Sequence, residues 1–152
     1  MARQGRLGHH EGTTHPRGGQ QNMDTEANRG LIEELLDAYN APDLDRAALL
    51  YTEDCHYLNR AYGIELRGRG GQRANMQAFL DRFPDRRLRP RRIFADEGGA
   101  VVEAEFVATS RGGPGMPPRG QPYSVEMCCV FEIADGLVLR EHDYIDRSPT
   151  GT

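Results

Sequence analysis

Residues 121–146 read QPYSVEMCCVFEIADGLVLREHDYID. Side chains alternate between apolar and polar on both sides of Asp135-Gly136, which predicts two long antiparallel strands, near 121–134 and 137–146, joined by a tight turn. Further upstream, glycine-containing turn signals separate two more segments of the same period, near 86–95 and 100–110. The second half of the chain is therefore predicted to form a meander of four strands.

Helical periodicity dominates the first half of the chain. Asp24 and Thr25 are the expected N-caps of a first helix, whose apolar stripe consists of Leu31, Ile32, Leu35, Leu36 and Tyr39. The other predicted elements are a short helix capped by Asp43, a strand at 55–59, a glycine-rich loop at 63–71 and a helix at 71–83. Helices followed by antiparallel strands predict an α+β fold, in which a curved sheet wraps around the helices.

The 152 residues are 38% hydrophobic and carry a net charge of -4, which indicates one globular domain and argues against a general nucleic-acid binder. Residues 1–23 are rich in Gly, Gln, Arg and His, so we predict a disordered N-terminal tail, with Met23 a candidate start. The domain is expected at 24–148, followed by a C-terminal tail at 149–152. No signal-like or membrane-spanning apolar run is evident, so we expect a cytoplasmic protein without a membrane partner.

All 19 basic residues are arginine, and the densest cluster is the run 86–92. Its alternation with Leu88 and Pro90 predicts an exposed edge strand, although it could instead attract an anionic substrate or a carrier protein. The three cysteines, Cys55, Cys128 and Cys129, are expected to be small buried thiols, with a redox or nucleophilic role for Cys55 or Cys129 as the alternative. No residues have metal-ligand spacing, so neither a metal nor a cofactor is expected.

Acidic residues close the last predicted strand, where a structural strand would end in a neutral turn. Because side chains alternate faces, Glu141 and Asp143 should share one face with Ile145. If that face lines an apolar cavity, burial would raise the pKa of both carboxyl groups into the range useful for acid–base catalysis. The structural alternatives are a strand-end turn for Asp143 and a solvent-exposed Glu141.

Tyr57 and Asn59 share a face of the first predicted strand, and could together donate hydrogen bonds to an oxyanion or position a water molecule. A tyrosine at the rim of the core is an equally common arrangement. By the same alternation, His56 and His142 should point away from the cavity.

The order of these motifs resembles the nuclear transport factor 2-like cone fold. Over 24–148, the chain is similar to SnoaL-like polyketide cyclases and to limonene-1,2-epoxide hydrolases. Tyr57-Leu58-Asn59 stands where the hydrolases hold their nucleophilic water, and the resemblance places Asp143 at the position of the base. It implies a cone whose mixed or antiparallel sheet encloses a pocket, and a cofactor-independent enzyme.

The chain departs from the hydrolase pattern at two places. The expected register puts Phe106 and Ala108 where the hydrolases carry an Arg-x-Asp pair, whereas a slip of one residue would bring Glu105 and Val107 to that face. Glu141 replaces a tryptophan of the family. Its two-residue separation from Asp143 would couple the titration of the two carboxyl groups.

The resemblance implies a cyclase, isomerase or lyase acting on a hydrophobic polyketide-type intermediate, as in antibiotic biosynthesis. Asp143 would be the acid–base, Glu141 would modulate it, and Tyr57 and Asn59 would stabilise oxyanion charge. The expected apolar substrate-binding wall consists of Leu36, Phe79, Phe106, Ala108 and Met127. The alternatives are epoxide opening and a non-catalytic binding module. We expect a homodimer through the outer sheet face, and a lid formed by the loop 112–118.

Overall fold

The computed structural model describes residues 17–147, which form three α-helices, one 3-10 turn and six β-strands. The helices are α1 (Arg17–Asn40), α2 (Leu44–Leu49) and α3 (Arg69–Arg82), and the 3-10 turn is Arg60–Tyr62. The strands are β1 (Tyr51–Asn59), β2 (Ile64–Arg67), β3 (Arg87–Ala95), β4 (Gly99–Thr109), β5 (Pro122–Ala134) and β6 (Leu137–Ile145). Within these residues, no helix has the length and apolarity needed to cross a membrane.

The six strands form one mixed sheet in the order β2-β1-β6-β5-β4-β3. All neighbouring strands are antiparallel except β1 and β6, which run parallel. The sheet is curved and not closed, and its inner face packs on the helices. This architecture confirms the predicted α+β class and the nuclear transport factor 2-like cone. It also makes β6, the strand with the acidic motif, a central strand.

The core lies between the concave sheet face and the helices. The apolar stripe of α1 supplies Ile32, Leu35 and Leu36, all buried, and Val102 and Val138 are fully buried on the sheet. Polar side chains also bind α1 to the sheet; for example, Asn28 donates a hydrogen bond to the carbonyl of Asp96 at 2.9 Å. Burial of this stripe accounts for helix stability better than the intrinsic propensities of its residues.

The first helix begins at Arg17, so the predicted N-caps at Asp24 and Thr25 are wrong and part of the predicted tail, 17–23, is helical. Extending a nucleated helix costs less free energy than starting one, and the buried turns from residue 28 onward provide the nucleus. Residues 1–16 and 148–152, which contain most of the predicted N-terminal tail and all of the predicted C-terminal tail, lie outside the described residues.

Two more boundaries differ from the expectation. The first strand begins at Tyr51 rather than at 55, and the predicted loop 63–71 contains β2 and the start of α3. Gly63, with a φ of 66°, reverses the chain so that β2 pairs with β1. A strand of four residues carries too few side chains for its period to be recognised in the sequence.

The arginine-rich run forms β3, which is an edge strand, as predicted. Arg91 and Arg92 form ion pairs on the outer sheet face with Glu126 and Glu103, with N–O distances of 2.6 and 2.7 Å. Arg86 is the exception to the expected exposure, because only 3% of it is accessible. It precedes the strand and turns inward against the end of α1.

Candidate active site

A cavity of about 780 Å³, counted to its open mouth, lies between the helices and the concave face of the sheet. That figure includes open solvent at the mouth, and the space enclosed between the walls is about 80 Å³. Of the residues predicted from the sequence, the structure brings together on its wall Leu36, Tyr57, Asn59, Phe79, Phe106, Met127, Glu141 and Asp143. Most of the remaining wall is apolar.

Asp143 is buried at the centre of the sheet, with 7% exposure. The hydroxyl of Tyr57 donates to its Oδ2 at 2.8 Å, and Nδ2 of Asn59 donates to the Tyr57 oxygen at 3.3 Å. The second carboxyl oxygen, Oδ1, is buried without a hydrogen-bond partner among the described residues. The Tyr57–Asn59 pair therefore holds the carboxyl group through one oxygen, and the side chains of Cys129 and Glu141 lie beside the same carboxyl group.

Glu141, the second carboxyl group, lies on the same wall and is 8% exposed, which rules out its predicted alternative at the solvent edge. Its Oε2 accepts a hydrogen bond from the hydroxyl of Tyr51. The same oxygen accepts a second hydrogen bond from Nε2 of Gln72, at 3.2 Å. Nδ2 of Asn75 in turn donates to Oε1 of Gln72 at 3.3 Å. Helix α3 thus fixes one oxygen of Glu141, and Oε1 is the oxygen left for a proton.

The two carboxyl groups act on each other, since ligating atoms of Glu141, Asp143 and Cys129 lie within 4.8 Å of one another. At that separation and an effective dielectric constant of about 20, two negative charges repel by about 3.5 kcal/mol. Burial, followed by the charge of Asp143, raises the pKa of Glu141 well above its usual value. Burial also raises the pKa of Asp143, while the hydrogen bond from Tyr57 opposes that rise. We therefore assign the retained proton of the pair to Glu141 and the negative charge to Asp143.

The strand order explains why these groups meet. Because β6 lies between β1 and β5, Asp143 is in register with Asn59 on one side and with Cys129 on the other. Burial raises the pKa of the Cys129 thiol well above its usual value. Cys129, Glu141 and Asp143 are the described side chains with a spacing suited to a metal ion, but a cation would have to displace protons held by raised pKa values.

The predicted register of β4 is correct at Phe106, which lines the cavity, while Glu105 interacts with Arg91 on the outer face. Ala108, predicted as part of the substrate wall, lies outside this cavity and lines an outer cleft instead. The reason is that Phe83 and Phe106 close the wall before Ala108, with ring centroids 5.5 Å apart. The Arg-x-Asp pair of the epoxide hydrolases is therefore absent from this face.

The two histidines lie away from the cavity wall, as their strand positions predicted. Nε2 of His56 contacts Oε1 of Glu65 at 2.8 Å, and the His142 ring stacks on Tyr144 at 4.1 Å between centroids. Neither side chain contacts the carboxyl pair.

An aromatic cluster surrounds the cavity mouth, where the outer cleft adjoins the cavity. Phe83 and Tyr123 stack with centroids 5.7 Å apart, and Tyr62 and Phe79 belong to both spaces. The loop 112–118, predicted as a lid, contributes Met116 to the outer cleft. Its closure over the mouth stays a prediction.

Sequence reasoning missed Tyr51 and Gln72 as members of the site. Tyr51 has the same parity as Tyr57 and would have been recognised if the strand had been started at residue 51. Gln72 is 3% exposed and lies one helical turn before the buried Met76, so it was a polar residue on an apolar helix stripe.

Residues 32–141 match the model of the SnoaL-like domain, and the chain belongs to this family. Among solved structures it resembles AclR, a proposed hydroxylase from Streptomyces galilaeus, with 25% identity and a TM-score of 0.69 over 82% of this chain and 92% of that one. It also resembles a proposed polyketide cyclase from Xanthomonas campestris pv. campestris, with 23% identity and a TM-score of 0.71 over 81% of this chain and 93% of that one. A third similar structure is a proposed ketosteroid isomerase from Kribbella flavida, with 24% identity and a TM-score of 0.63 over 82% of each chain. A search of curated proteins gave no match. The family assignment made from the sequence is confirmed for the SnoaL-like part of the resemblance.

Proposed function

We propose that this protein is a cofactor-independent cyclase or isomerase for a hydrophobic, carbonyl-containing intermediate of the polyketide type. The supporting observation is the pair of buried carboxyl groups, Glu141 and Asp143, on the wall of an apolar cavity. The family and the fold of the similar structures agree with this role. The cytoplasm and a homodimer through the outer sheet face remain part of the proposal.

In this mechanism the carboxylate of Asp143 removes a proton from the carbon next to the substrate carbonyl. The electron pair of the broken C–H bond moves to the carbonyl oxygen and forms an enolate. Protonated Glu141 donates a hydrogen bond to that oxygen, and its retained proton makes this possible in a dry site. In cyclisation, the enolate carbon then attacks a second carbonyl carbon of the same substrate, the π electrons of that C=O bond move to its oxygen, and the proton held by Asp143 passes to that oxygen. In isomerisation, the proton returns from Asp143 at a different carbon.

Tyr57 and Asn59 have a different role here from the one expected. The Tyr57 hydroxyl is already engaged with Asp143, and Asn59 supports Tyr57. We therefore propose them as positioning residues for the base rather than as donors to the oxyanion. Leu36, Phe79, Phe106 and Met127 would exclude water and shape the bound substrate.

The test is hydrogen exchange at a model ketone. Wild-type protein in D₂O should speed exchange of the α-protons of 2-tetralone, followed by NMR, because a base in an apolar pocket contributes about 10²–10⁴-fold. Asp143→Asn should abolish that gain, whereas Glu132→Gln, which alters an exposed carboxylate on the same sheet, should not. Exchange that survives Asp143→Asn would refute the proposal. Binding of the ketone to wild type without exchange would leave a non-catalytic binding module.

Epoxide opening is the second candidate, because Glu141 and Asp143 together supply an acid and a base without the Arg-x-Asp pair. Asp143 would activate a water molecule and Glu141 would protonate the epoxide oxygen. Incubation of styrene oxide in ¹⁸O-water tests this directly. Labelled diol from wild type and none from Asp143→Asn would favour hydrolysis over the isomerase.

A further inference from the structure

Arg86 is a buried cation that the mechanism above does not use. Its Nη1 donates to the carbonyl of Tyr39 at 2.8 Å, while its Nε and Nη2 are buried with no hydrogen-bond partner in the part of the chain described. A buried charge without compensation is costly. The carbonyl groups at the end of α1 carry partial negative charge and offset part of this cost. A helix-capping role alone still leaves two of the three nitrogens unused.

The guanidinium lies on the ring of Tyr39, with its central carbon 3.6 Å from the ring centroid. Arginine stacks well on aromatic faces because its charge is delocalised and weakly hydrated. The neighbouring Asn40 fixes the same end of α1 to β3, accepting from the Leu88 amide at 2.8 Å and donating to the Leu88 carbonyl at 2.9 Å. Tyr39 is therefore held in place by Arg86, which contacts its ring and its carbonyl oxygen, and by the hydrogen bonds of the neighbouring Asn40 to β3.

The opposite side of Tyr39 faces the cavity. Tyr39 lines the same wall as Glu141 and Asp143. Its hydroxyl makes no hydrogen bond to the described residues, whereas the hydroxyls of Tyr51 and Tyr57 already donate to carboxyl groups. Tyr39 is thus a half-buried tyrosine of this wall whose proton remains available to a ligand.

The charges around Tyr39 have opposing effects on its hydroxyl. Burial raises the pKa of Tyr39, the charge of Arg86 lowers it, and Asp143, Glu141 and Cys129 raise it. The hydroxyl is therefore protonated and close enough to the carboxyl pair to respond to its charge. Without the cation, the Tyr39 hydroxyl would be a weaker acid and a weaker hydrogen-bond donor.

We propose that Tyr39 is a second hydrogen-bond donor to the oxyanion of the substrate, and that Arg86 is a positioning residue which holds and polarises the Tyr39 ring. This inference rests on the proposed function, since it assigns Tyr39 to the oxygen that also faces Glu141. It further implies a substrate whose carbonyl oxygen lies between β6 and the end of α1. A cation thus supports the site from outside the cavity wall, through an aromatic ring.

The probe is 2-naphthol, whose oxyanion resembles an enolate and whose ionisation is visible in its fluorescence. Hydrogen bonds to charged groups contribute about 1.5–3 kcal/mol, so Tyr39→Phe should weaken binding of the naphtholate about 10–100-fold. Arg86→Met should raise the apparent pKa of bound naphthol, and Arg86→Lys, which keeps the charge, should restore part of the effect. Tyr144→Phe, on an exposed tyrosine of the outer face, should bind as wild type does.

If Arg86→Met does not fold, Tyr39→Phe and Arg86→Lys decide the question. Unchanged affinity and unchanged ionisation of bound naphthol in Tyr39→Phe would overturn the inference, as would wild-type protein that does not bind naphtholate. The ketone exchange separates this result from the proposed function. Exchange that depends on Asp143 but not on Tyr39 would leave the base assignment intact and remove Tyr39 from the mechanism.

Discussion

Removal of the Tyr57 hydroxyl tests the network that holds Asp143. Tyr57→Phe keeps the ring but deletes the donor at 2.8 Å from Oδ2. Loss of a bond to a charged acceptor costs about 1.5–3 kcal/mol, and the donor of Asn59 loses its acceptor for about 1 kcal/mol more. We expect the free energy of unfolding to fall by about 2.5–4 kcal/mol at pH 8, as measured by urea denaturation.

The pH dependence makes this prediction specific. The hydrogen bond from Tyr57 lowers the pKa of Asp143, so it favours the ionised carboxylate. Its loss should therefore cost more at pH 8 than at pH 5, and the difference should disappear in a double-mutant cycle with Asp143→Asn. Tyr144→Phe, 55% exposed, should change stability by less than about 0.5 kcal/mol. A cost for Tyr57→Phe as small as that of the control, and equal at both pH values, would refute the network.

Three further changes test other parts of the structure. Because Glu141 has its pKa raised well above 4.5 by burial and by Asp143, the folded protein keeps a proton that the unfolded chain releases. Stability should therefore fall as pH rises from about 4.5 through the raised pKa of Glu141. Glu141→Gln should flatten that part of a Tm-against-pH curve, and an unchanged slope would contradict the assignment of the retained proton to Glu141. Gly99→Ala places a Cβ 1.9 Å from the Phe131 carbonyl oxygen and should lower the free energy of unfolding by about 3 kcal/mol or more in urea denaturation. The exposed Gly98 is the control, because its Cβ would meet the nearest atom at an ordinary 3.5 Å and Gly98→Ala should change stability by less than about 0.5 kcal/mol. Ser110 is 1% exposed and donates to the Pro117 carbonyl at 2.6 Å, so Ser110→Ala should speed amide hydrogen exchange in the loop 112–118; unchanged protection would show that the hydroxyl does not hold the loop.

The strongly periodic elements were predictable because their pattern follows from burial on one face. The strands containing Phe106 and Asp143 were predicted within a residue or two of their bounds, and the inward direction of both side chains was correct. The start of α1 was not predictable, because the glycine-rich turns from Arg17 onward have no apolar stripe and are helical as an extension of the packed part. Strand β2 was missed because four residues carry too weak a period.

The remaining features of the site depend on which strands and helices are neighbours in the folded protein. The sequence by itself determined the class of fold, through the order of its helical and strand periods, and the absence of the Arg-x-Asp pair. It also determined that Glu141 and Asp143 share one face of their strand, because side chains alternate along a strand. Only the tertiary structure decided that Tyr51 and Gln72 bind Glu141, that Tyr57 is committed to Asp143, that Ala108 lies beyond the cavity and that Arg86 is buried on Tyr39. These contacts join side chains that are far apart in the chain. Strand order and helix placement set such distances, and no local pattern records them.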